Sequence, residues 1–227
     1  MDRAFAQQEA VAAMGGVWRA LAGRCVSPPD ALQAARWKVP QLSLARRLGL
    51  RCPPTLVTND PDRVREFLLQ GPAVVKAIAD ARVVGDTGER HGQTQVLGDS
   101  DDLGGVRAAP VLVQGLVPKV ADVRVTLVGG AIFAVRITTP PGAPIDFRAT
   151  PSAEAAYEVL TLSDATLAPL REFVRFFGLR FAAFDFAEDL QGRLWFLECN
   201  PNGQWGWLEP PTGLDITGAL VELLLNP

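Results

Sequence analysis

The order of apolar and polar positions along the chain predicts both helices and strands. Several segments mix apolar and polar residues at helical spacing, and most of them end at a glycine. The predicted helices cover residues 2–21, 30–35, 41–48, 62–70, 164–177 and 214–225. Asp30 is expected to cap the second helix, and Gly178 is expected to close the fifth.

Short runs rich in Val, Ile, Leu and aromatic residues predict the strands. They cover residues 55–58, 73–78, 111–114, 123–128, 131–137, 181–187 and 193–200. Gly129-Gly130 and Gln191-Gly192 are expected to form the two-residue turns of two hairpins. Because strands and helices mix without a strict β-α-β alternation, the pattern predicts an α+β fold rather than a doubly wound sheet.

Composition narrows the class of protein. The chain has 227 residues, of which 48% are apolar and 21% charged, and its formal net charge is −3. This excludes a disordered chain, and the mild acidity argues against broad nucleic-acid binding. No apolar stretch approaches the roughly 20 residues that span a bilayer. The N-terminus lacks a signal-peptide pattern, and three cysteines without a CxxC pair form no disulfide framework, so we expect a cytoplasmic protein.

The most specific chemistry lies in the hairpin predicted around Gln191-Gly192. A two-residue turn there places Asp185 directly opposite Glu198, on the same face of the hairpin. Asn200, two residues past Glu198, projects from that face as well. Two facing carboxylates in an apolar hairpin repel each other unless one is protonated or a cation lies between them.

Two carboxylates and an amide are oxygen donors, which suit Mg²⁺ better than Zn²⁺. Magnesium keeps positions open for water or phosphate oxygens, so the three residues predict a nucleotide site. The alternative is that Asp185 and Glu198 are solvated residues on an exposed sheet face. Neighbouring aromatic residues, including Phe184, Phe186 and Phe196, disfavour a fully hydrated face.

Only three of the 22 basic residues are lysines, namely Lys38, Lys76 and Lys119. A lysine presents a compact charge that suits a phosphate in a narrow space, although codon bias would leave the same pattern. Lys76 lies in a predicted buried strand, where it needs a negative partner or loses its proton. That partner is either a phosphate or a structural ion pair. Glycines within residues 85–92 could fold backbone N–H groups over the same phosphates.

Arginines beside carboxylates form the second basic group. Asp122 and Arg124 share a strand face, and Arg148 follows Asp146 at the end of a Pro/Gly loop. Such arginines can neutralise a transferring phosphoryl group or hold a substrate carboxylate. Arg136 is expected to face away from Arg124, towards solvent.

From Lys38 to the C-terminus these segments resemble the ATP-grasp enzymes. In that family an acidic residue on one strand and Glu-x-Asn on the next hold magnesium ions, and Asp185, Glu198 and Asn200 match those positions. The two nucleotide-binding lysines of the family match Lys38 and Lys76. Its adenine-binding strand matches residues 113–117, its DxR element residues 122–124, and its DFR element residues 146–148. The resemblance thus implies nucleotide binding by Gln114, Gly115, Leu116, Val117, Lys119 and Asp122, and catalytic roles for Arg124 and Arg148.

Within that superfamily, the chain most resembles the peptide maturases that make graspetides, which are ribosomal peptides cross-linked through ω-ester or ω-amide bonds. The likeness rests on the stretches KVPQLSLARRLGLRCPPTLVTNDP, VPKVADVRVTLVGGAIFAVRI, GLRFAAFDF and WFLECNPNGQWGWLEPPTGLDI. Ligases that add glutamate to ribosomal protein tails resemble the C-terminal half less closely. The chain departs from the maturases at Gly115, where they usually carry Glu. The resemblance also leads us to expect that it lacks most of their N-terminal domain.

The resemblance also implies an architecture and a reaction. Two α+β lobes, over residues 30–115 and 116–227, would grip ATP after a helical lead-in of residues 1–29. ATP and two Mg²⁺ ions are the expected cofactors, and a ribosomally made precursor peptide with its leader is the expected partner. Neither nucleic acid nor membrane is expected, and pairing of subunits is left open. A side-chain carboxylate of the peptide would become an acyl phosphate, from which a hydroxyl or amine displaces phosphate.

Three alternatives stay open at this point. The protein could be a ligase that adds glutamate or another amino acid to a small molecule or a protein tail. It could be a degenerate nucleotide-binding partner without catalysis. It could transfer a phosphoryl group to a histidine through His91, which the lack of a second histidine disfavours. Trp205 and Trp207 either line a peptide groove or pack the last helix.

Overall fold

The computed structural model describes residues 3–78, 82–85, 88–91, 94–98 and 101–226, with the backbone alone for 82–85 and 88–91. In these residues the helices are α1 Arg3–Ala20, α2 Pro29–Ala35, α3 Lys38–Arg47, α4 Pro61–Leu68, α5 Asp164–Phe177, α6 Glu209–Thr212 and α7 Ile216–Leu225. The strands are β1 Thr55–Thr58, β2 Ala73–Lys76, β3 Arg82–Gly85, β4 Gly88–His91, β5 Gln95–Leu97, β6 Val111–Gly115, β7 Lys119–Val128, β8 Ala131–Thr138, β9 Ala156–Leu160, β10 Phe181–Asp189 and β11 Leu194–Asn200.

Two antiparallel sheets frame the molecule and confirm the predicted α+β fold. The smaller sheet has the strand order β1-β6-β2-β5, and the larger sheet has the order β11-β10-β7-β8-β9. Strands β3 and β4 form a separate hairpin. Among the residues that the structure describes, none of the helices is both long and apolar enough to cross a membrane.

Local signals fix most of the element ends. Helix α5 has its predicted bounds, because the Ser163 side chain caps its start and Gly178 closes it with a φ of 71°. Asp30 is not a cap, contrary to the prediction, since Pro28 precedes α2 and the Asp30 carboxylate pairs with Arg19. Helix α3 begins at Lys38, three residues earlier than predicted. Strand β9 was not predicted, because this edge strand is mostly exposed and lacks an apolar run.

The main core lies on one face of the larger sheet, beneath α2, α3 and α5. Phe173 of α5 packs there against Phe184 and Phe196, with ring centroids 5.3 and 5.8 Å away. Burying each such side chain contributes about 1.5–3 kcal/mol. Since successive residues of a strand point to opposite faces, the other face of the same strands carries Asp122, Arg124, Asp185 and Glu198. The core therefore fixes the strands that present the candidate site.

The first hairpin, β7–β8, forms as predicted. Residues 129–130 make its two-residue turn. The resulting register points Arg136 away from Arg124, as expected. Arg136 Nε lies 2.6 Å from Glu188 Oε2, and its Nη1 lies 2.7 Å from Glu158 Oε2.

The turn of the β10–β11 hairpin differs from the prediction. Residues 190–192 form a three-residue loop, because the Asp189 N–H donates to the carbonyl of Arg193 over 3.1 Å. Gly192 has a φ of 71°, the left-handed conformation that such a loop needs at its end. The Asp189 carboxylate also accepts from the N–H groups of Gln191 and Arg193, both at 3.0 Å.

A β-bulge at Leu197 then corrects the register. Near the turn Phe186 faces Phe196, which is one residue out of the predicted register. The extra residue Leu197 on β11 shifts the pairing back, so that Asp185 lies opposite Glu198. The predicted carboxylate pairing is thus confirmed, although the bulge produces it and the turn does not.

Asp189→Asn is expected to destabilise the protein more at neutral than at acidic pH. Burial opposes ionisation, but hydrogen bonds from Trp195 and Arg193 hold the pKa of Asp189 well below its usual range. The stabilisation is full above the ordinary carboxyl pKa of about 3.9 and is lost as pH falls through and below it. Urea denaturation of the wild type and the variant at neutral and acidic pH measures the difference between their free energies of unfolding, which is called the gap below. A gap that stays constant or widens on acidification would contradict this account.

Gly203→Ala is expected to destabilise the protein by about 1–3 kcal/mol, through overpacking. A Cβ at Gly203 would lie 2.6 Å from Arg124 Nη2 and 2.7 Å from the Ala183 Cβ, so these groups would have to move. Gly206→Ala is the matched control, because a Cβ there meets nothing within 4 Å. Urea denaturation of both variants decides the point, and equal stability of the two would refute close packing at Gly203.

Candidate functional site

A cleft of about 1150 Å³ lies between the two larger sheets. Helices α1–α3, strands β2 and β6, and strands β7, β10 and β11 all contribute to its walls. The predicted site residues that line it are Lys38, Lys76, Gln114, Gly115, Leu116, Val117, Lys119, Asp122, Arg148, Asp185, Glu198 and Asn200. Arg124 is the predicted residue that does not line the cleft, because it is buried behind Asp185.

Three charged residues form a row across β7, β10 and β11. Asp185 pairs with Arg124 on one side and with Glu198 on the other. Arg124 Nη1 donates to Asp185 Oδ1 over 2.6 Å, and its Nη2 donates to the carbonyl of Gln204 over 3.1 Å. The second oxygen, Asp185 Oδ2, is buried and has no hydrogen-bond partner among the described residues. A buried acceptor without a donor is costly, which makes this atom a candidate ligand position.

Glu198 lies among cations at the mouth of this row. Lys38 Nζ is 3.4 Å from Glu198 Oε2, and Arg148 Nη1 is 3.9 Å from Glu198 Oε1. The side chain of Asn200 makes no hydrogen bond within the described part of the chain. Residues 198 and 200 therefore hold side-chain oxygens beside Asp185 that remain available to a ligand.

The two facing carboxyls have pKa values shifted in opposite directions. Burial raises the pKa of Asp185, helped by the nearby charge of Glu198 and opposed by Arg124. Burial also opposes ionisation of Glu198, but Lys38, Lys76 and Arg148 outweigh it, so its pKa is lowered. Two effects therefore reduce the repulsion between the facing carboxylates. Cationic side chains surround the pair, and the raised pKa of Asp185 favours its protonated form.

The residues in this row fit a divalent cation. A cation would supply the missing partner of Asp185 Oδ2 and would stabilise the ionised form of that carboxyl. Glu198 and Asn200 add hard oxygen donors of the kind that Mg²⁺ takes. No three His, Cys, Asp or Glu side chains converge within the described ranges, so a metal here would depend on the amide of Asn200 as well as on two carboxylates.

The two lysines converge where β2 ends. Lys76 Nζ donates to Gln114 Oε1 over 2.9 Å, and Lys38 Nζ donates to the carbonyl of Ala77 over 2.9 Å. Burial lowers the pKa of Lys76, with further lowering by Lys38, while Glu198 acts in the opposite direction. Among the described residues Lys76 has an amide partner and no ion pair, so its positive charge is left available to an anion.

The end of β6 leaves backbone groups free to bind a ligand. The N–H of Gly115 donates to the carbonyl of Pro54 over 2.9 Å, and that of Leu116 donates to the carbonyl of Pro72 over 2.8 Å. Neither proline can return a bond, because proline has no N–H. The carbonyl of Leu116 therefore receives no bond from Pro72, and neither it nor the N–H of Val117 has a partner in the part of the chain that the structure describes. One acceptor and one donor at this edge match the edge of a purine.

Four further charged residues of the cleft form two ion pairs. Lys119 Nζ lies 2.7 and 2.5 Å from the two carboxylate oxygens of Asp122, and 2.6 Å from the carbonyl of Ile145. Burial raises the pKa of Asp122 against the opposing effect of Lys119. Arg148 Nε donates to Asp146 Oδ1 over 2.8 Å. These pairs tie the Pro/Gly loop to the wall of the cleft.

Leu197 and Gln41 are two of the cleft residues that the sequence analysis did not single out. Leu197 lines the cleft beside Glu198, because the bulge turns two consecutive residues to the same side. Gln41 is buried and hydrogen-bonds to the backbone of Cys199, between Glu198 and Asn200. The sequence around Leu197 carries no local signal for a bulge. A glutamine at a buried position of an amphipathic helix, in contrast, is a signal that could have identified Gln41.

Other candidates lie elsewhere. Trp205 Nε1 donates to Thr217 Oγ1 of α7 over 3.0 Å, and Trp207 packs on Phe147 with ring centroids 5.8 Å apart. Neither tryptophan lines this cleft. Trp205 contacts the last helix, as the packing interpretation predicts, and the peptide-groove interpretation stays a prediction. The side chain of His91 and the predicted glycine cover over the phosphates lie outside what the structure describes in full.

Known proteins that are similar to this chain support an interpretation of the cleft. No family model matches the chain. A curated relative, a probable alpha-L-glutamate ligase from Teredinibacter turnerae, is 25% identical over 204 residues, which cover 88% of this chain. The chain spans 66%, about two thirds, of that relative.

Two solved structures carry the comparison further. The macrocyclase MdnC from Microcystis aeruginosa, bound to its precursor peptide MdnA, has a TM-score of 0.87 and is 30% identical, over 100% of this chain and 73% of MdnC. The ATP-grasp ligase PsnB, solved with a variant of its minimal precursor, Mg and ADP, has a TM-score of 0.72 and is 31% identical, over 88% of this chain and 60% of PsnB. With its cleft, its row of carboxylates and this similarity, the chain belongs to the family of ATP-grasp ligases that includes the peptide macrocyclase MdnC.

Proposed function

We propose that the protein is an ATP-dependent ligase that cross-links a ribosomal precursor peptide through a side-chain carboxylate. The observation that carries the proposal is the buried oxygen Asp185 Oδ2, which lacks a partner among the described residues while facing Glu198 in a cation-lined cleft. The precursor peptide bound to MdnC and the Mg and ADP bound to PsnB support the same function.

In this proposal ATP lies in the cleft with its adenine at the end of β6. The carbonyl of Leu116 and the N–H of Val117 would pair with the purine edge. Lys38 and Lys76, whose ammonium groups converge at the end of β2, would meet the phosphates. The division into a lead-in of residues 1–29 and lobes of residues 30–115 and 116–227 belongs to this proposal.

Asp185, Glu198 and Asn200 would hold Mg²⁺, as two ions. When bound, Mg²⁺ neutralises phosphate oxygens and orients the nucleotide. The protein residues supply the rest of the positioning. Arg124 is buried behind Asp185 and would orient that carboxylate instead of touching the peptide.

The chemistry needs activation because a free carboxylate has no good leaving group. The peptide carboxylate would attack the γ-phosphorus of ATP, so that ADP leaves and an acyl phosphate forms. A hydroxyl or amine of the same peptide would then attack the carbonyl carbon and release phosphate. Arg148, whose side chain is 56% exposed and reaches towards Glu198, would neutralise charge on the transferring phosphoryl group. The proposal places this reaction in the cytoplasm, where ATP and new peptides meet.

A second candidate is addition of glutamate or another amino acid to a small molecule or protein tail. The curated glutamate ligase relative favours it, since the same cleft could serve either acceptor. A nucleotide-binding partner without catalysis is disfavoured, because Asp185, Glu198 and Asn200 are all present at the cleft. The two ligase functions differ in product mass and can be separated directly.

Mass spectrometry tests the proposed function. The protein is incubated with ATP, Mg²⁺, free glutamate and either MdnA or a Thr-, Glu- and Asp-rich precursor from a neighbouring gene. We expect each cross-link to remove the mass of one water and to consume one ATP. A gain of one amino-acid residue would instead establish the glutamate-type ligase. ATP binding without any change in peptide mass would contradict both ligase functions.

Asp185→Asn and Glu198→Gln are each expected to lower Mg²⁺-dependent ATP turnover by about 100-fold or more, the scale on which one preorganised electrostatic group acts. Both substitutions keep side-chain shape and remove a charge at the metal position. Glu158→Gln is the matched control, since Glu158 pairs with Arg136 on the other face of the sheet. ADP release is the measurement, and equal turnover in all four proteins would refute the assignment.

Nucleotide binding is expected to take up a proton and to weaken as pH rises. Burial lowers the pKa of Lys76 in the free protein, and bound phosphates would raise it again, so binding at pH between the two values protonates the amine. Calorimetry with metal-free ADP, in buffers that differ in ionisation enthalpy, measures this uptake. Lys76→Arg should abolish it, because arginine stays charged. Binding without proton uptake at any alkaline pH would contradict the assignment.

A further inference from the structure

The metal-binding segment proposed above lies on an edge strand. Strand β11 ends the larger sheet. Strand β10 pairs with one of its edges, and none of the strands in the described residues pairs with the other. An unpaired edge leaves backbone N–H and C=O groups without strand partners and allows the strand to shift. Glu198 and Asn200 nevertheless have to stay in place opposite Asp185 and Ala183, which are their partners on β10.

Gln41 takes the place of the missing neighbour strand. Its Oε1 accepts from the N–H of Cys199 over 2.8 Å, and its Nε2 donates to the carbonyl of Cys199 over 2.7 Å. These two bonds to one residue are the pair that an antiparallel strand residue would make. The second hydrogen of Nε2 goes to the carbonyl of Ala35 at the end of α2, over 2.6 Å. Gln41 is 2% exposed, so water cannot readily replace these bonds.

The bulge on β11 is held on both sides by such contacts. The N–H of Phe196 donates outward to the carbonyl of Arg51 over 2.7 Å, and Cys199 faces outward to Gln41. Residues three apart in a regular strand face opposite edges. Both face outward here because Leu197 is the extra residue of the bulge. The contact with Gln41 therefore fixes the register that brings Glu198 opposite Asp185.

We propose that Gln41 is a positioning residue that locks β11 in the register required for metal binding by Glu198 and Asn200, an inference that rests on the proposed function. Lys38 lies one turn before Gln41 on α3 and contacts the Glu198 carboxylate itself. One helix thus holds both the backbone and the side chain of the metal-binding segment. Gln41 touches neither nucleotide nor peptide in this role, and it acts through the strand.

The experiment compares ADP affinity in a chelator with ADP affinity in Mg²⁺. Gln41→Met keeps the side-chain volume and removes all three hydrogen bonds. It should retain the metal-free affinity and lose roughly 10- to 100-fold of the Mg²⁺-dependent gain, the usual effect of losing an outer contact of a metal site. Leu44→Ala is the matched control. Leu44 is buried on the same helix, but its apolar side chain cannot form a hydrogen bond with Cys199. It should lower stability and keep the gain.

Hydrogen exchange gives a second readout that needs neither metal nor activity. The Cys199 amide should be protected in the wild-type protein, although it lies on an edge, and should exchange faster in Gln41→Met. The wild-type measurement also decides the point if the methionine variant fails to fold, because it needs no substitution. An unprotected Cys199 amide in the wild type would overturn the proposal.

The outcomes separate this inference from the function on which it rests. A wild-type protein with no Mg²⁺-dependent gain in ADP affinity would refute the metal site. A gain that is present in the wild type and unchanged in a folded Gln41→Met protein would refute only the role of Gln41. An equal loss in Leu44→Ala would also refute it, since general destabilisation would then explain the effect.

Discussion

The ion pair between Arg124 and Asp185 is the interaction on which the site depends. A carboxylate held in an apolar sheet costs several kcal/mol unless it is paired and hydrogen-bonded. Arg124 satisfies one oxygen and leaves the other, so the protein keeps a buried acceptor with no partner among the described residues. Glu198 adds a second negative charge beside it, which a structural role alone would not require. The proposed cation would resolve both costs at once.

Packing on the opposite face of the same sheet makes this arrangement rigid. Phenylalanines from α5, β10 and β11 interlock beneath the strands, and the bulge at Leu197 turns Glu198 to the cleft side. Helix α3 then closes the outer edge of β11 through Gln41, while its first residue, Lys38, reaches the Glu198 carboxylate. Core, bulge and helix act on the same few backbone positions, which is how a site on an edge strand can be preorganised.

The sequence predicted the fold class and most helices and strands, because these follow from local periodicity and turn chemistry. It also predicted the carboxylate pairing, but from a two-residue turn that the structure does not have. It did not predict how the pairing arises, since a three-residue turn and a compensating bulge leave no separate local signal. The burial of Arg124 was not predicted either, because a strand pattern shows which face a residue occupies and not what covers that face. The contact between Gln41 and Cys199 joins residues 158 positions apart, and it depends on which sheet edge a helix covers.

Anomalous diffraction from crystals grown with ADP and Mn²⁺ tests the central claim most directly. The account places a manganese peak within bonding distance of Asp185 Oδ2 and of the Glu198 carboxylate, with the ADP phosphates beside it. ADP bound in the cleft with Asp185 and Glu198 still paired only to arginine and lysine, and no metal between them, would contradict it.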